Sequence, residues 1–182
     1  MINEESFVQM AAIFAEFSHL GQTRKYTGEP YFVHPQRVAK TGFKMGLPPY
    51  IIAALYLHDV IEDCKVTKED IVFLFPSKEF GERVAAIVDG LTNKSKKVPN
   101  TTRKQRKAMD HDRLSKEKKE IKVCKLLDRL DNISDMELCK EDFRFMYARE
   151  TLDLLKAVGD GDEELSQQIS DKANQILKGE PK

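Results

Sequence analysis

The sequence of 182 residues contains no long apolar run, and this absence excludes one class of protein at the outset. A helix that crosses a membrane needs about 20 consecutive apolar residues, and no stretch of this chain approaches that length. Tryptophan is absent, no low-complexity tract occurs, and no segment alternates between apolar and polar residues as a half-buried strand does. We therefore expect a globular protein without membrane spans or sheet.

Cysteine is also scarce. The three cysteines (Cys64, Cys124 and Cys139) are odd in number, far apart and without the CxxC spacing of zinc-thiolate sites. This pattern predicts reduced thiols in a cytoplasmic protein rather than a disulfide framework. The first ten residues carry two acids and no base, so we expect neither a secretory nor a mitochondrial leader.

The chain has no net charge, because 30 basic residues balance 30 acidic ones. The charges are nevertheless uneven: the segment 94–125 holds thirteen Lys or Arg and four Asp or Glu, a net +9, and the remaining residues sum to −9. Two interpretations stay open, namely an approach surface for a polyanionic ligand and an ordinary solvated face. The segment lacks interleaved aromatic residues, which argues against stacking of single-stranded nucleic acid.

Apolar residues recur at helical spacing along nearly the whole chain. The pattern predicts an all-α protein of about eight or nine helices in a single domain over residues 1–182, with a core at about 4–158 and a C-terminal packing helix at about 162–178. Pro35 and Pro49 stand where helices are expected to begin. Thr67 with Asp70 predicts a capping box at the start of a short helix.

The segment 55–63, LYLHDVIED, turns from apolar to acidic after a histidine. In a continuous helix, residues four apart share a face, so that His58 would lie beside Glu62 and Asp59 beside Asp63. Carboxylates at a helix C-terminus oppose the macrodipole unless a cation is present. A divalent metal ion would supply that cation, and the alternative is a helix that simply emerges into solvent.

Two further polar positions lie in apolar surroundings. Asp128 and Asn132 share a helix face, and the leucines around Asp128 indicate a buried carboxylate that needs a partner. That partner is either a metal ion or a neighbouring base, Lys125 or Arg129. His34 follows an apolar trio at the start of a helix, where a lone histidine is more often a cap or a buried structural residue.

Four segments occur in order along the chain: RKYTGEPYFVHP (24–35), ALYLHDVIEDC (54–64), FGERVAAIVDGLT (80–92) and KLLDRLDNISDM (125–136). Together they resemble the HD-domain metal-dependent phosphohydrolases. The resemblance is closest to the (p)ppGpp hydrolase domain of the RelA/SpoT homologues, especially the small stand-alone hydrolases. The ordered set is far more specific than a single His-Asp pair, and the resemblance extends over about residues 4–158.

The resemblance implies an all-helical HD-domain fold that holds one divalent ion, usually manganese. Carried onto this chain, the metal ligands would be His34, His58, Asp59 and Asp128. Two imidazoles with two carboxylates also suit Fe, Zn or Mg-like ions. Glu62 and Asp63 match the acidic pair of the family, which orients or deprotonates the attacking water and assists the leaving group.

The resemblance also implies a nucleotide site. Arg24 matches the arginine of the family that packs against the purine, and Lys25 matches the basic residue beside it, which lies near phosphate. Asn132 matches the asparagine that contacts the nucleotide. A guanidinium can stack flat on a base while its edge faces phosphate. Asp131 stands where the family has histidine or an aromatic residue, and 134–135 is Ser-Asp where the family often has Arg-Thr. Both departures make the substrate side more acidic.

The function that the resemblance implies is a metal-dependent hydrolase that removes the 3′-diphosphate from (p)ppGpp, giving GDP or GTP and pyrophosphate. One alternative is an HD phosphohydrolase acting on a dNTP, on ppApp or on the 2′-phosphate of NADPH. Another is a non-catalytic HD module that binds nucleotide or nucleic acid through the basic segment. The complete ligand set favours an enzyme with a small nucleotide as its partner, and neither membrane nor nucleic acid is expected. We expect no synthetase activity, because the segment given after Val158 is too short for a synthetase domain, and the oligomeric state stays open.

Overall fold

A computed structural model describes residues 3–180 of the chain. Its α-helices are α1 (Glu4–Ser18), α2 (Val33–Lys44), α3 (Pro49–Leu57), α4 (Val60–Asp63), α5 (Lys68–Leu74), α6 (Lys78–Leu91), α7 (Arg103–Ser115), α8 (Lys119–Ser134), α9 (Glu141–Val158) and α10 (Glu163–Lys178). Within the described range, nine of these helices have seven residues or more, and α4 is a single turn. The all-α fold class is confirmed. No helix in this range combines the length and hydropathy that crossing a membrane requires.

The described chain divides into two compact units, the first ending at Thr92 and the second beginning at Asn93. In the first unit α3 packs against α1, α2 and α6, and six of its nine residues are buried. In the second unit α8 packs against α9 and α10, while α7 packs against α9. The single domain over residues 1–182 stays a prediction.

Local capping explains where several helices begin. The expected capping box of α5 is present, with Thr67 and Asp70 each bonding to the backbone of the other. A second box, formed by Thr102 and Gln105, starts α7 within the basic segment, although the apolar periodicity there is weak. No disulfide forms among the cysteines of residues 3–180, as the sequence predicts.

Residues 55–63 do not form one continuous helix, contrary to the sequence-based expectation. α3 ends before His58, a turn at His58 and Asp59 follows, and α4 then begins. The carbonyl oxygen of Asp59 accepts hydrogen bonds from the backbone N–H groups of Glu62 (3.1 Å) and Asp63 (2.9 Å). The acidic residues therefore belong to α4, and the argument that they oppose the macrodipole of α3 does not apply.

The turn between α9 and α10 lies directly against α8. Gly161 in this turn is buried, and a Cβ atom there would stand 2.7 Å from the Cβ atom of Lys122 and 3.1 Å from its carbonyl carbon. The ammonium group of Lys122 reaches back to Asp160 at 2.7 Å. Glycine at this position therefore sets how closely the turn approaches the helix that carries Asp128 and Asn132.

Gly161→Ala should lower the free energy of unfolding by about 1–3 kcal/mol, because the added methyl group overpacks against backbone-proximal atoms that cannot rotate away. Urea unfolding followed by circular dichroism measures the change. Gly179→Ala is the matched control, since the nearest atom to its new Cβ lies at 3.5 Å. Equal unfolding free energies for the two variants would contradict the close approach.

Candidate functional site

Two buried histidines and an aspartate converge in the first unit. The Nε2 atoms of His34 and His58 are 3.2 Å apart. The Oδ2 atom of Asp59 lies 3.2 Å from Nε2 of His58 and 3.8 Å from Nε2 of His34. All three atoms fall within 4.8 Å of one another. Two imidazole nitrogens and a carboxylate oxygen directed at one point form a donor set that fits a divalent metal ion.

The backbone of α3 fixes the orientation of the His58 ring. Its Nδ1 atom lies 2.7 Å from the carbonyl oxygen of Leu55, one turn earlier in the helix. A carbonyl only accepts, so Nδ1 carries the proton and Nε2 is the lone-pair nitrogen of the ring. Metal-binding histidines commonly have such a bond on the far side of the ring. The local structure thus presents Nε2 of His58 as a ligand atom.

Tyr31 connects this cluster to the acidic residues of α4. Its hydroxyl oxygen lies 2.8 Å from Oδ2 of Asp59 and 3.0 Å from Oδ2 of Asp63. Burial, together with the negative charges of Asp59 and Asp63, raises the pKa of Tyr31 well above its usual value. The hydroxyl therefore keeps its single proton at working pH, and it lies between the two carboxylates, either of which can accept that proton's hydrogen bond.

The ring of Tyr31 is itself supported by His19. The two rings stack with their centroids 4.6 Å apart, and Nδ1 of His19 is 2.9 Å from Oε1 of Gln22. The side-chain amide of Gln22 also donates to the backbone carbonyl of Asp63 at 3.1 Å. His19 is buried, although its neighbours in the sequence are largely polar. Its role is structural, as a support for the Tyr31 ring.

Tyr31 is a candidate site residue that the sequence analysis did not single out. Its role depends on the proximity of Asp59 and Asp63, which lie about thirty residues further along the chain. The sequence feature that could have indicated this role is the position of Tyr31 within GEPYFVHP, three residues before His34.

A tight turn before Tyr31 places Arg24 and Lys25. The backbone N–H of Arg24 donates to the carbonyl of Glu29, and the N–H of Gly28 donates to the carbonyl of Arg24, both at 2.9 Å. Gly28 has φ +72°, a left-handed conformation that favours glycine. The Arg24 guanidinium lies 5.8 Å from the centroid of the Tyr31 ring, and Lys25 is exposed. The predicted purine and phosphate contacts thus share the first unit with the histidine cluster.

The members of the acidic pair differ in environment. Glu62 is half-buried and Asp63 is exposed, with its carboxylate bound to the Tyr31 hydroxyl. The structure brings Asp63 beside Asp59 through this shared hydroxyl, as the spacing predicts, although the two residues do not lie on one continuous helix.

Asp128 and Asn132 lie in the second unit, on one face of α8. Asp128 is buried, and its Oδ2 atom lies 2.7 Å from the ammonium group of Lys125. Its Oδ1 atom accepts a hydrogen bond from the side-chain amide of Asn132. The ion pair with Lys125, which the sequence left open as the alternative partner, is therefore present. The assignment of Asp128 as a fourth metal ligand stays a prediction.

Comparison with known proteins identifies the family. The sequence model of the HD-domain family matches residues 11–160 of this chain. A guanosine-3′,5′-bis(diphosphate) 3′-pyrophosphohydrolase from Aquifex aeolicus is 35% identical over 150 residues, which cover 81% of this chain and 20% of that protein. The protein of the same name from Vibrio cholerae is 37% identical over 150 residues, with the same coverage of 81% and 20%. The chain belongs to the HD-domain family.

A solved structure supports the fold. It is described as a metazoan ortholog of SpoT that hydrolyzes ppGpp, and it matches with a TM-score of 0.71 at 24% identity, covering 94% of this chain and 93% of that one. The chain spans only 20% of the length of the curated relatives above. Family membership and fold are therefore shown, whereas the activity of those longer proteins does not follow from the match.

Tyr31→Phe should weaken binding of Mn²⁺ by about 10–100-fold, the usual effect of removing a group that orients a metal ligand. The aromatic ring remains, so its stacking on His19 is retained. Isothermal titration calorimetry with Mn²⁺ measures the change.

Tyr56→Phe is the matched control, because the Tyr56 ring stacks on Phe32 with centroids 6.2 Å apart and no carboxylate contributes to its raised pKa. The control should bind Mn²⁺ as the wild type does. Unchanged Mn²⁺ affinity in Tyr31→Phe would show that the hydroxyl does not orient Asp59.

Proposed function

We propose that this protein is a metal-dependent nucleotide pyrophosphohydrolase that removes the 3′-diphosphate of (p)ppGpp. The observation that carries the proposal is the convergence of His34, His58 and Asp59, linked through Tyr31 to Asp63, in a chain of the HD-domain family. Relatives with this activity in their names are 35–37% identical to the chain, which supports the same choice of substrate.

The donor set of the first unit fits a resident divalent ion, and we assign Mn²⁺ to it. His34, His58 and Asp59 would hold the ion, with Asp128 as the fourth ligand by resemblance to the family. When bound, such an ion polarises a phosphoryl oxygen and acidifies nearby water. Imidazole and carboxylate ligands together suit first-row divalent ions. The location we propose is the cytoplasm.

Glu62 and Asp63 supply the proton-transfer groups of the proposed reaction. A water molecule attacks the phosphorus atom that is bonded to the ribose O3′, and the P–O3′ bond breaks to release pyrophosphate. One carboxylate of the acidic pair accepts a proton from the water, and the pair returns a proton to O3′ as it leaves. The Tyr31 hydroxyl holds Asp63 beside Asp59, so that one carboxylate of the acidic pair has a fixed position.

The nucleotide contacts follow from the charges and shapes of the assigned residues. Arg24 offers a planar cation for the purine, Lys25 is exposed and offers an ammonium group for phosphate, and Asn132 offers an amide for the nucleotide. The basic segment 94–125 would raise the local concentration of a substrate with four or more negative charges.

A second candidate is an HD phosphohydrolase for a different nucleotide. Two acidic residues lie close in sequence to Asn132, the predicted nucleotide contact. Asp131 is on α8, and Asp135 follows the end of that helix. The hydroxyl of Ser134 donates to the carbonyl of Leu130 at 2.7 Å and so is engaged by its own helix. These residues favour a substrate that presents less negative charge there, such as a dNTP or NADPH, or one with a different purine, such as ppApp.

A hydrolysis panel of ppGpp, pppGpp, ppApp, dGTP and NADPH with added Mn²⁺ tests the proposal. Ion-exchange chromatography of the products should show pyrophosphate together with GDP or GTP. Release of triphosphate from dGTP or of inorganic phosphate from NADPH, without turnover of (p)ppGpp, would select the second candidate. No turnover of any substrate would contradict the enzyme assignment.

Asp59→Ala and Asp128→Ala should each reduce Mn²⁺ affinity and hydrolysis by more than about 100-fold. Loss of a residue that only orients a ligand already costs about 10–100-fold, and loss of a ligand should cost more. Titration calorimetry and the product assay measure the two effects. Asp171→Ala is the control, since Asp171 is an exposed residue of α10. Wild-type Mn²⁺ affinity in Asp128→Ala would remove Asp128 from the ligand set while leaving the other three in place.

Arg24→Ala should raise KM for purine substrates more than it lowers kcat, because a base-stacking cation contributes to the ground state and the transition state alike. Steady-state kinetics with pppGpp or the best substrate of the panel measures both constants. An equal loss in kcat and in kcat/KM would show that Arg24 acts only in the transition state and not in base stacking.

A further inference from the structure

Gln22 lies where three segments of the first unit meet. The residue stands in the turn that follows α1, and its backbone N–H donates to the carbonyl of His19 at 3.0 Å. Its own carbonyl accepts a hydrogen bond from the backbone N–H of Tyr31, also at 3.0 Å. Its side-chain amide reaches the end of α4 and donates to the carbonyl of Asp63 at 3.1 Å. A single residue therefore joins α1, α4 and the segment that carries Tyr31.

The orientation of the Gln22 amide follows from its two partners. A carbonyl oxygen only accepts, so the amide nitrogen faces the carbonyl of Asp63 and Oε1 faces the ring of His19. Nδ1 of His19 lies 2.9 Å from Oε1 and must carry the proton of this hydrogen bond. Because the His19 ring stacks on Tyr31, the amide orders the support of that ring as well as the end of α4.

Cys64 makes a second connection between α1 and α4. Its thiol donates to the carbonyl of Ser18, the last residue of α1, at 3.2 Å. The amide nitrogen of Gln22 lies 3.7 Å from the sulfur atom and donates to it. Burial, with the negative charges of Asp63 and Asp59, raises the pKa of Cys64, so the thiol keeps the proton that it donates. The end of α4 is thus tied to the end of α1 at two consecutive residues.

The end of α4 needs such contacts, because this helix is a single turn of four residues. An isolated turn of helix is unstable in water, since fixing its backbone costs more than its few hydrogen bonds return. Asp63 is the last residue of α4 and is exposed, and Cys64 after it is already extended, with φ −122° and ψ 170°. The helix alone therefore does little to fix where the Asp63 carboxylate lies.

We propose that Gln22 is a positioning residue for the hydrolysis, in that its amide holds the end of α4 so that the Asp63 carboxylate stays beside the Tyr31 hydroxyl. This role rests on the proposed function, in which Asp63 takes part in proton transfer. None of the hydrogen bonds that Gln22 makes within residues 3–180 reaches a proposed metal ligand. Gln22 therefore acts on the proton-transfer step and not on binding of the ion.

Gln22→Met tests this role in the full-length protein, because methionine keeps the length of the side chain and removes the amide. With Mn²⁺ and the best substrate of the hydrolysis panel, kcat should fall by about 10–100-fold, as a small displacement of a reacting group can cost that much. KM and the Kd for Mn²⁺ should not change, because the backbone bond to Tyr31 remains and no proposed metal ligand loses a contact. Gln9→Met is the matched control, since Gln9 is an exposed residue of α1.

Unchanged kcat in Gln22→Met, with an active wild type, would overturn the positioning role alone. Absence of turnover in the wild type would instead overturn the proposed function, and this role with it. A fall in Mn²⁺ affinity as large as the fall in kcat would show that Gln22 acts through the ion, which also contradicts the role.

Gln22→Glu is the second variant. Its carboxylate accepts from His19 as the amide oxygen does, but it cannot donate to the carbonyl of Asp63. We therefore expect kcat to fall as it does in Gln22→Met. Wild-type kcat in Gln22→Glu would assign the effect to His19 and overturn the connection to Asp63.

The orientation of the amide is tested without turnover by ¹H–¹⁵N spectra of the histidine side chains in the wild-type protein. Nδ1 of His19 should carry a proton. A proton on Nε2 alone would turn the oxygen of the Gln22 amide toward the carbonyl of Asp63, and this result would overturn the proposal.

Discussion

The candidate site depends on the way the chain turns at His58 and Asp59. Successive residues of a helix point about 100° apart, so a continuous helix would separate these two side chains. Asp59 instead adopts φ −102° and ψ −6°, a bridge-region conformation frequent in active sites. Its carboxylate thereby comes within 3.2 Å of Nε2 of His58. The buried helix α3 provides the rigid base for this turn, and its Leu55 carbonyl orients the His58 ring.

The charge pattern acquires a more specific meaning in the structure. Three of the nine excess charges in segment 94–125 are balanced by acids outside it, since Arg103 pairs with Glu150, Lys122 with Asp160 and Lys125 with Asp128. At Lys107 the negative charge of Glu150 only partly offsets the positive charges of Arg129, Lys125 and Arg103. A chain with zero net charge can therefore still concentrate positive charge locally.

Most helices could be predicted from the sequence, because capping residues and helical periodicity are local signals. The grouping of His34, His58 and Asp59 could be predicted from the ordered motifs. It was misleading at 55–63, where the four-residue spacing of the acids fits a continuous helix as well as a turn followed by α4. The role of Tyr31 and the burial of His19 could not be predicted, since both depend on tertiary contacts. For Asp128 the sequence offered two kinds of partner, and the structure contains the Lys125 ion pair.

We propose that His34, His58 and Asp59 hold one metal ion, and pulsed electron paramagnetic resonance of the Mn²⁺-loaded protein can identify these ligands. The electron spin-echo modulation should show two imidazole nitrogens bound to the ion, because the Nε2 atoms of both rings face the same point. His34→Ala should reduce this to one nitrogen. A spectrum without nitrogen coupling, at full Mn²⁺ occupancy, would contradict the metal centre.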